Sequence, residues 1–308
     1  MSIPTRIQIE GLISRVKQGT SAVELVHVPH DRWPQTRIAH STSPLRISVL
    51  DSSFNPPTRA HLALASLPPS PASSGISQDF DARLLLLSVR NADKGLKSTD
   101  ASYAQRLEMM IRLANDVVPS AQDANESNVA VAIIDEPTFV GKARVLSSFL
   151  RHRLATLPAT SDALPSTPGS RPTEDVELAF LVGMDTLERI LATRYYPSQS
   201  DMRDYLKQFM TTSRLICSRR IMPGQLRDAQ VQKEEDILVA ARDYLDVQRL
   251  EIVDIGEEIE SYSSSEVRKR VEEGDEQLWT KMVTPSVAEY ITAEHLYAAA
   301  HAAAVDAK

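Results

Sequence analysis

Apolar residues along this chain fall into two patterns that take turns. Continuous apolar runs of strand length occupy residues 46–50, 83–88, 129–134, 176–182, 215–218 and 252–255. Runs without alternation are what strands covered on both faces show. Between them lie stretches with helical spacing. Residues 103–118 place Leu107, Met110, Ile111, Ala114 and Val117 on one face, and residues 142–154 turn Val145, Leu146, Phe149 and Leu150 inward. Further helices are expected at 61–67, at a capped start near Ser263, and over 285–297. Strand–helix alternation predicts an α/β fold with a doubly wound parallel sheet, right-handed crossovers and a helical C-terminal part. Ligands of such sheets lie off the carboxyl ends of the strands, where the strand order reverses. The polar loops at 52–58, 88–94 and 183–185 each follow a strand and should therefore converge.

Punctuation divides the chain. Residues 1–45 read as an N-terminal extension, with Ile9, Ile13 and Val16 at helical spacing and a short apolar run at 23–28 that pairs as an edge or starts a strand. The main domain spans 46–297, interrupted by Pro- and Ser-rich stretches at 68–77 and 156–173 that read as mobile loops, and an Ala-rich tail occupies 298–308. His27, His30, Asp31 and His40 are irregularly spaced around Pro29 and Pro34, which favours a surface loop over a metal site.

Composition narrows the function classes. A net charge of −7 over 308 residues argues against broad nucleic-acid binding, although cations focused in one cleft still allow an anionic ligand. The lone Cys217 excludes an intrachain disulfide, and its apolar setting marks a strand residue rather than a nucleophile. No run is long enough to span a membrane and no secretory leader is evident, so a cytoplasmic location is expected, with the nucleus left open.

Neither GxGxxG nor GxxxxGK[ST] is present. The distinctive stretch is Val49-Leu50-Asp51-Ser52-Ser53-Phe54-Asn55-Pro56-Pro57-Thr58-Arg59-Ala60-His61. It reads as a buried strand, a polar turn and a helix start, with the unpaired N–H groups of the first turn offering an anion site. Thr58 and His61 are three residues apart and share a face of that turn. Lys94, then Gly183-Met184-Asp185, then Ser263-Ser264-Ser265-Glu266-Val267-Arg268 follow in order.

This ordered set resembles the nucleotidyltransferases that carry an [HT]xGH element, and within them the nicotinamide mononucleotide adenylyltransferases, in a divergent fungal-type branch. The resemblance spans about residues 46–297 and implies a Rossmann-like fold. It rests on Phe54, Asn55, Pro56 and His61, with Thr58 for the family's first histidine, on Gly183 and Asp185 for GxD, and on Ser263 to Arg268 for ISSTxxR. Ser52 and Ala60 replace family glycines, and the Trp pair of the animal members is absent, leaving Phe139 and Tyr196 to stack on a pyridine.

The resemblance implies adenylyl transfer from ATP, with Mg2+ on the phosphates, to nicotinamide mononucleotide, giving NAD and pyrophosphate. By the same resemblance His61, Thr58 and Arg268 are catalytic. Ser53, Phe54, Lys94, Ser264 and Ser265 bind ATP. Ser52, Asn55, Phe139, Gly183, Asp185 and Tyr196 bind the mononucleotide or dinucleotide, and no side chain is assigned to a metal. Two other readings stay open: the same chemistry with another phosphate acceptor or CTP, and a catalytically weak nucleotide-binding protein. Taken alone, each residue has a plainer reading, such as a helix cap for Ser263 to Glu266 or a solvated charge for Arg268; only their joint order points to a site.

Overall fold

The computed structural model describes residues 3–35, 44–68, 80–90, 99–117, 128–157, 176–219 and 227–298. Lys94, His40, most of the loops expected at 68–77 and 156–173, and nearly all of the Ala-rich tail lie outside these residues. Among the described residues one sheet contains β1 (Val23–His27), β2 (Leu45–Asp51), β3 (Ala82–Ser88), β4 (Val129–Ile134), β5 (Val176–Gly183), β6 (Ser213–Ser218) and β7 (Leu250–Val253). Their spatial order is β1-β4-β3-β2-β5-β6-β7. Strands β2 to β7 pair in parallel, and β1 lies antiparallel on the outer edge of β4. From β2 the chain winds outward through β3 and β4, then returns to place β5 against the other side of β2. The order therefore reverses between β2 and β5, the position where an open α/β sheet forms its crevice.

Side chains alternate across each strand, so successive leucines of β3 serve different layers. Leu84 and Leu86 join the layer under α4 (Phe139–Thr156), α5 (Met184–Ile190), α6 (Gln199–Thr212) and α7 (Arg227–Arg242). Leu85 and Leu87 join the layer under α1 (Arg6–Lys17), α2 (Arg59–Ala65) and α3 (Tyr103–Asp116). After the one-turn helix α8 (Glu257–Glu260), a third cluster gathers the C-terminal helices α9 (Ser264–Glu272), α10 (Glu276–Met282) and α11 (Pro285–Ala293) against Ala101 and Met109. The doubly wound sheet with a helical C-terminal part is thus the observed architecture. Cys217 is fully buried in β6, and burial pushes its thiol up to about 12, as suits a strand residue.

Several boundaries differ from those expected. The last strand is Leu250–Val253, two residues earlier than expected, and it ends there because the chain leaves the sheet at Asp254-Ile255-Gly256, where Gly256 has φ 93°. Helix α4 begins at Phe139 rather than Lys142: the Thr138 hydroxyl accepts from the Gly141 N–H at 3.1 Å and so caps the extra turn. The apolar run at 23–28 does pair as an edge, so His27 sits in β1 rather than in the surface loop expected for the histidine cluster.

Part of the stretch read as an N-terminal extension is packed on the domain. Ile9 and Val16 of α1 are fully buried in the α1–α3 layer, and β1 extends the sheet. Arg6 ties α1 to α3 through the Glu108 carboxylate at 2.7 Å, and the Tyr290 hydroxyl donates to the same carboxylate. Burial pushes the Glu108 carboxyl up, but the Arg6 and Tyr290 hydrogen bonds outweigh it and hold the group below its ordinary value of 4.5. A carboxyl lowered by folding contributes stability that is present above its unfolded pKa and lost as pH falls through the folded one. With Arg6 partly exposed, the contribution is about 1 kcal/mol. Glu108→Gln is expected to lower the melting temperature at neutral pH by about 2–4 °C. Its melting temperature should also fall less steeply than that of the unaltered protein as pH drops below the ordinary value. Identical acid profiles for the two proteins would refute the assignment.

Candidate active site

The described parts of the polar loops expected to converge, including Ser52, Ser53, Ser88, Arg90, Gly183 and Asp185, do so. At the carboxyl ends of β2 and β5 lies a cleft of about 540 Å³ lined by residues of the opening turn, α4, α5 and the start of α9. Six cationic side chains line it (Arg90, Arg106, Lys142, Arg189, Arg219 and Arg268) against four acidic ones (Asp51, Asp100, Asp185 and Glu260). An acidic chain thus concentrates its cations where an anion would enter.

His61 stands at the centre, and its ring is held from both sides. The Thr58 backbone N–H donates to Nδ1 at 3.0 Å, and the Thr58 hydroxyl lies 2.9 Å from the same nitrogen. A nitrogen that accepts from a backbone N–H carries no proton in the neutral ring, so the proton is on Nε2. Nε2 faces the Ser52 hydroxyl at 2.9 Å. The Phe54 ring packs against the imidazole with centroids 5.1 Å apart. Phe54 has φ 44°, a left-handed backbone unusual for a bulky residue, and complete burial of its ring holds it there. The far end of α2 is anchored by Arg83 of β3, whose Nε donates to the Ala65 carbonyl at 2.8 Å and Nη2 to the Leu67 carbonyl at 3.3 Å. A cation on the last carbonyls of a helix satisfies groups with no partner inside it.

Two residues expected to contact a ligand do not line the cleft. Thr58 is fully buried and its hydroxyl lies behind His61, so it orients the imidazole instead of facing the cleft. The backbone N–H expected to hold an anion is spent on that ring. Phe54 is likewise wholly buried, its ring packed against His61 and not lining the cleft. Asn55 borders the cleft with its side chain partly committed: Nδ2 donates to Asp100 at 2.7 Å, while Oδ1 accepts from the Ala101 N–H at 3.1 Å and the Tyr297 hydroxyl at 2.9 Å. These bonds hold the turn in place and leave the second Nδ2 hydrogen for a ligand.

Across the cleft, Ser263 caps α9 by accepting from the Glu266 N–H at 3.1 Å. The expected reciprocal half of that cap is missing because the Glu266 carboxylate pairs with Arg270 at 2.8 Å. Ser264 donates to the Pro56 carbonyl at 2.7 Å, locking α9 to the opening turn, whereas Ser265 is exposed. Arg268 donates through Nη1 to the Asn55 carbonyl at 2.5 Å and through Nη2 to Ser265 Oγ at 3.4 Å, and its guanidinium remains part of the cleft wall. Ser53 lines the same wall.

At the other end Phe139 lines the cleft edge-on to Phe180, with ring centroids 5.7 Å apart. Tyr196 faces the same space, its hydroxyl donating to the Ile190 carbonyl at 2.7 Å and pushed up to about 12 by burial. Gly183 precedes α5, and a Cβ there would meet the Asp185 carboxylate at 3.0 Å, so glycine leaves that side chain room. Asp185 is exposed to the cleft beside Arg189 at 3.1 Å. Sequence reasoning missed the buried pair of Asp51 and Lys142 on the cleft floor, 2.6 Å apart. It also missed Asp100 and Arg106, which brace the opening turn. Lys142 alone left a signal: a charge four residues before Leu146, on the inward face of a helix. Among the described residues no group of three or more His, Cys, Asp or Glu side chains is placed to hold a metal, and no helix is long and apolar enough to cross a membrane.

No protein-family model matches the chain. Two solved structures align loosely. One is a Plasmodium falciparum nicotinic acid mononucleotide adenylyltransferase complexed with APC, at 14% identity and TM-score 0.45, covering 82% of this chain and 96% of that one. The other is Thermotoga maritima TmcAL bound with alpha-thio ATP, at 11% identity and TM-score 0.36, covering 81% and 55%. Similarity at that level carries no argument. A Schizosaccharomyces pombe protein described as "Putative nicotinamide mononucleotide adenylyltransferase" is 30% identical over 245 residues, 78% of this chain and 82% of that protein. With identity of that extent over 78% of its length, the chain belongs to the nicotinamide mononucleotide adenylyltransferase family.

Proposed function

We propose that this protein joins ATP to nicotinamide mononucleotide, giving NAD and pyrophosphate. The observation that carries the reading is one cleft in which a proton-bearing His61 Nε2, the Arg268 wall and the Phe139–Tyr196 end meet at the reversal of strand order. An oxygen of the mononucleotide phosphate attacks the α-phosphorus of ATP in line, the bond to the bridging oxygen breaks, and pyrophosphate leaves with the electron pair. The attacking phosphate is already ionised, so no general base is required. The work of the protein is to bring two anions together and to stabilise the leaving charge. Positioning of the reactants supplies up to ~7–11 kcal/mol of such a barrier.

His61 is suited to donate from Nε2 to a phosphate oxygen, because Thr58 holds the ring in that tautomer. Arg268 and the first N–H groups of the nine-residue α9 face the β- and γ-phosphates, with Ser53 and the exposed Ser265 beside them. Lys94 is proposed as a further cation from the loop after β3. In this reading Asp185 accepts from sugar hydroxyls and Phe139 with Tyr196 holds the pyridine, all three lining the cleft. The donor set suits a Mg2+ that arrives on the triphosphate with most of its water, since no protein cage is present among the described residues. Such an ion supplies charge neutralisation on the transferred phosphates.

The Ser52 hydroxyl on Nε2 favours a second reading, a nucleotide-binding protein with weak turnover, because an incoming phosphate must displace or share that contact. A panel of phosphate acceptors with ATP or CTP and Mg2+, read by pyrophosphate release, separates the two. Release is expected to be fastest with ATP and nicotinamide mononucleotide. ATP binding by calorimetry without release for any acceptor would establish the second reading instead.

A further inference from the structure

We propose that the Asp51–Lys142 ion pair on the cleft floor reads the substituent of the acceptor's pyridine ring and selects a neutral carboxamide over a carboxylate. The inference rests on the adenylyltransferase reading above.

The pair is expensive to keep. The Lys142 ammonium lies 2.6 Å from Asp51 Oδ2, and the two side chains are 5% and 9% exposed. A buried ion pair is weak evidence for stability, since apolar residues of similar volume commonly hold a fold as well or better. Asp51 ends β2 directly after the buried Val49 and Leu50, and Lys142 lies on the inward face of α4 with Ala143 and Leu146. Both also line the cleft.

Their position fits a substrate contact. Lys142 Nζ is 5.0 Å from the centroid of the Phe139 ring, the aromatic that closes the acceptor end. Asp51 directly precedes Ser52, whose hydroxyl touches His61 Nε2. The pair therefore stands between the phosphate end and the aromatic end of one cleft. Among the described residues Asp51 is the one hydrogen-bond acceptor of the ammonium, which has three donors, so donors remain for a ligand.

The chemistry of the pair is that of a matched donor and acceptor with no net charge. A carboxamide answers both: its oxygen accepts from Lys142 and its amino group donates to Asp51. A carboxylate has two acceptors and a negative charge. It can take a hydrogen bond from Lys142 only by turning its other oxygen or its charge toward Asp51, with the lysine charge already neutralised. In a partly desolvated cleft that repulsion is poorly screened. Lys142 alone would favour the acid; Asp51 reverses the preference.

The test compares kcat/KM for nicotinamide mononucleotide and nicotinic acid mononucleotide, with ATP and Mg2+, in the full-length protein and in two variants. The unaltered protein is expected to favour the amide roughly 10- to 100-fold, the value of one hydrogen bond to a charged group. Asp51→Asn should move the ratio toward the acid by about tenfold or more, mostly in KM, because it uncovers the lysine charge and presents an amide donor. Asp51→Asn with Lys142→Gln leaves no buried charge, guards against a single variant that fails to fold, and should bring the ratio close to unity. A preference for the acid in the unaltered protein overturns the proposal without any variant. So does an amide preference that persists unchanged in a folded, active double variant. Absence of turnover with either acceptor in the unaltered protein is a different result: it removes the adenylyltransferase reading, and this inference with it.

Discussion

His61→Ala is expected to lower kcat by about 10²- to 10³-fold, the usual cost of removing one preorganised donor from a developing oxyanion. The size follows from the geometry. Nε2 is the ring's proton-bearing atom, aimed into the cleft by the Thr58 N–H behind it and the Phe54 ring beside it. The same geometry predicts a modest structural cost. In the folded protein the imidazole satisfies the Thr58 backbone N–H, a helix-start donor with no partner inside α2. Loss of that contact should cost about 0.5–2 kcal/mol, seen as a melting temperature lower by a few degrees. Turnover and thermal melt measured on one preparation separate the two effects. Turnover equal to that of the unaltered protein would remove His61 from the mechanism.

Arg268→Ala should lower kcat/KM for ATP by about 10²-fold or more, with little change in the KM of the mononucleotide. Arg268 does two things at once. Its guanidinium faces the cleft, and its Nη1 holds the Asn55 carbonyl in the turn that carries Ser52 and Ser53. Arg268→Lys should restore little, because a lysine cannot donate to the Asn55 carbonyl and to a phosphate with one planar fork. Rescue by lysine would show that only a positive charge is needed there. Full activity in the alanine variant would reduce Arg268 to a helix surface charge like Lys269, which pairs with Glu273 at 3.9 Å.

Both predictions concern residues found from the chain itself. The order of the opening turn, GxD and the late serine–arginine stretch led to His61, Asp185 and Arg268, and all three line one cleft. The roles of their neighbours were less legible. Thr58 and Asn55 look like ligand contacts in a motif, yet the Thr58 hydroxyl is turned to His61, and Asn55 gives its Oδ1 and one Nδ2 hydrogen to Ala101, Tyr297 and Asp100. Those partners stand 45, 46 and 242 residues from Asn55, at separations to which no periodicity corresponds. Asp51 and Lys142 were hidden for the same reason, being 91 residues apart.

Periodicity, turn chemistry and helix-capping positions are local properties, and they were enough to set the order of β2 to β7 and of several helices between them, while the resemblance of the motifs pointed to His61. They were not enough to say which polar atoms remain available to a ligand. That depends on which donors and acceptors are consumed by residues from other strands, and it was settled only when β2, β4 and β5 were brought side by side with the C-terminal helices. Burial forces each such atom to find a partner, and the partner's identity is a consequence of the packed chain rather than of any segment within it.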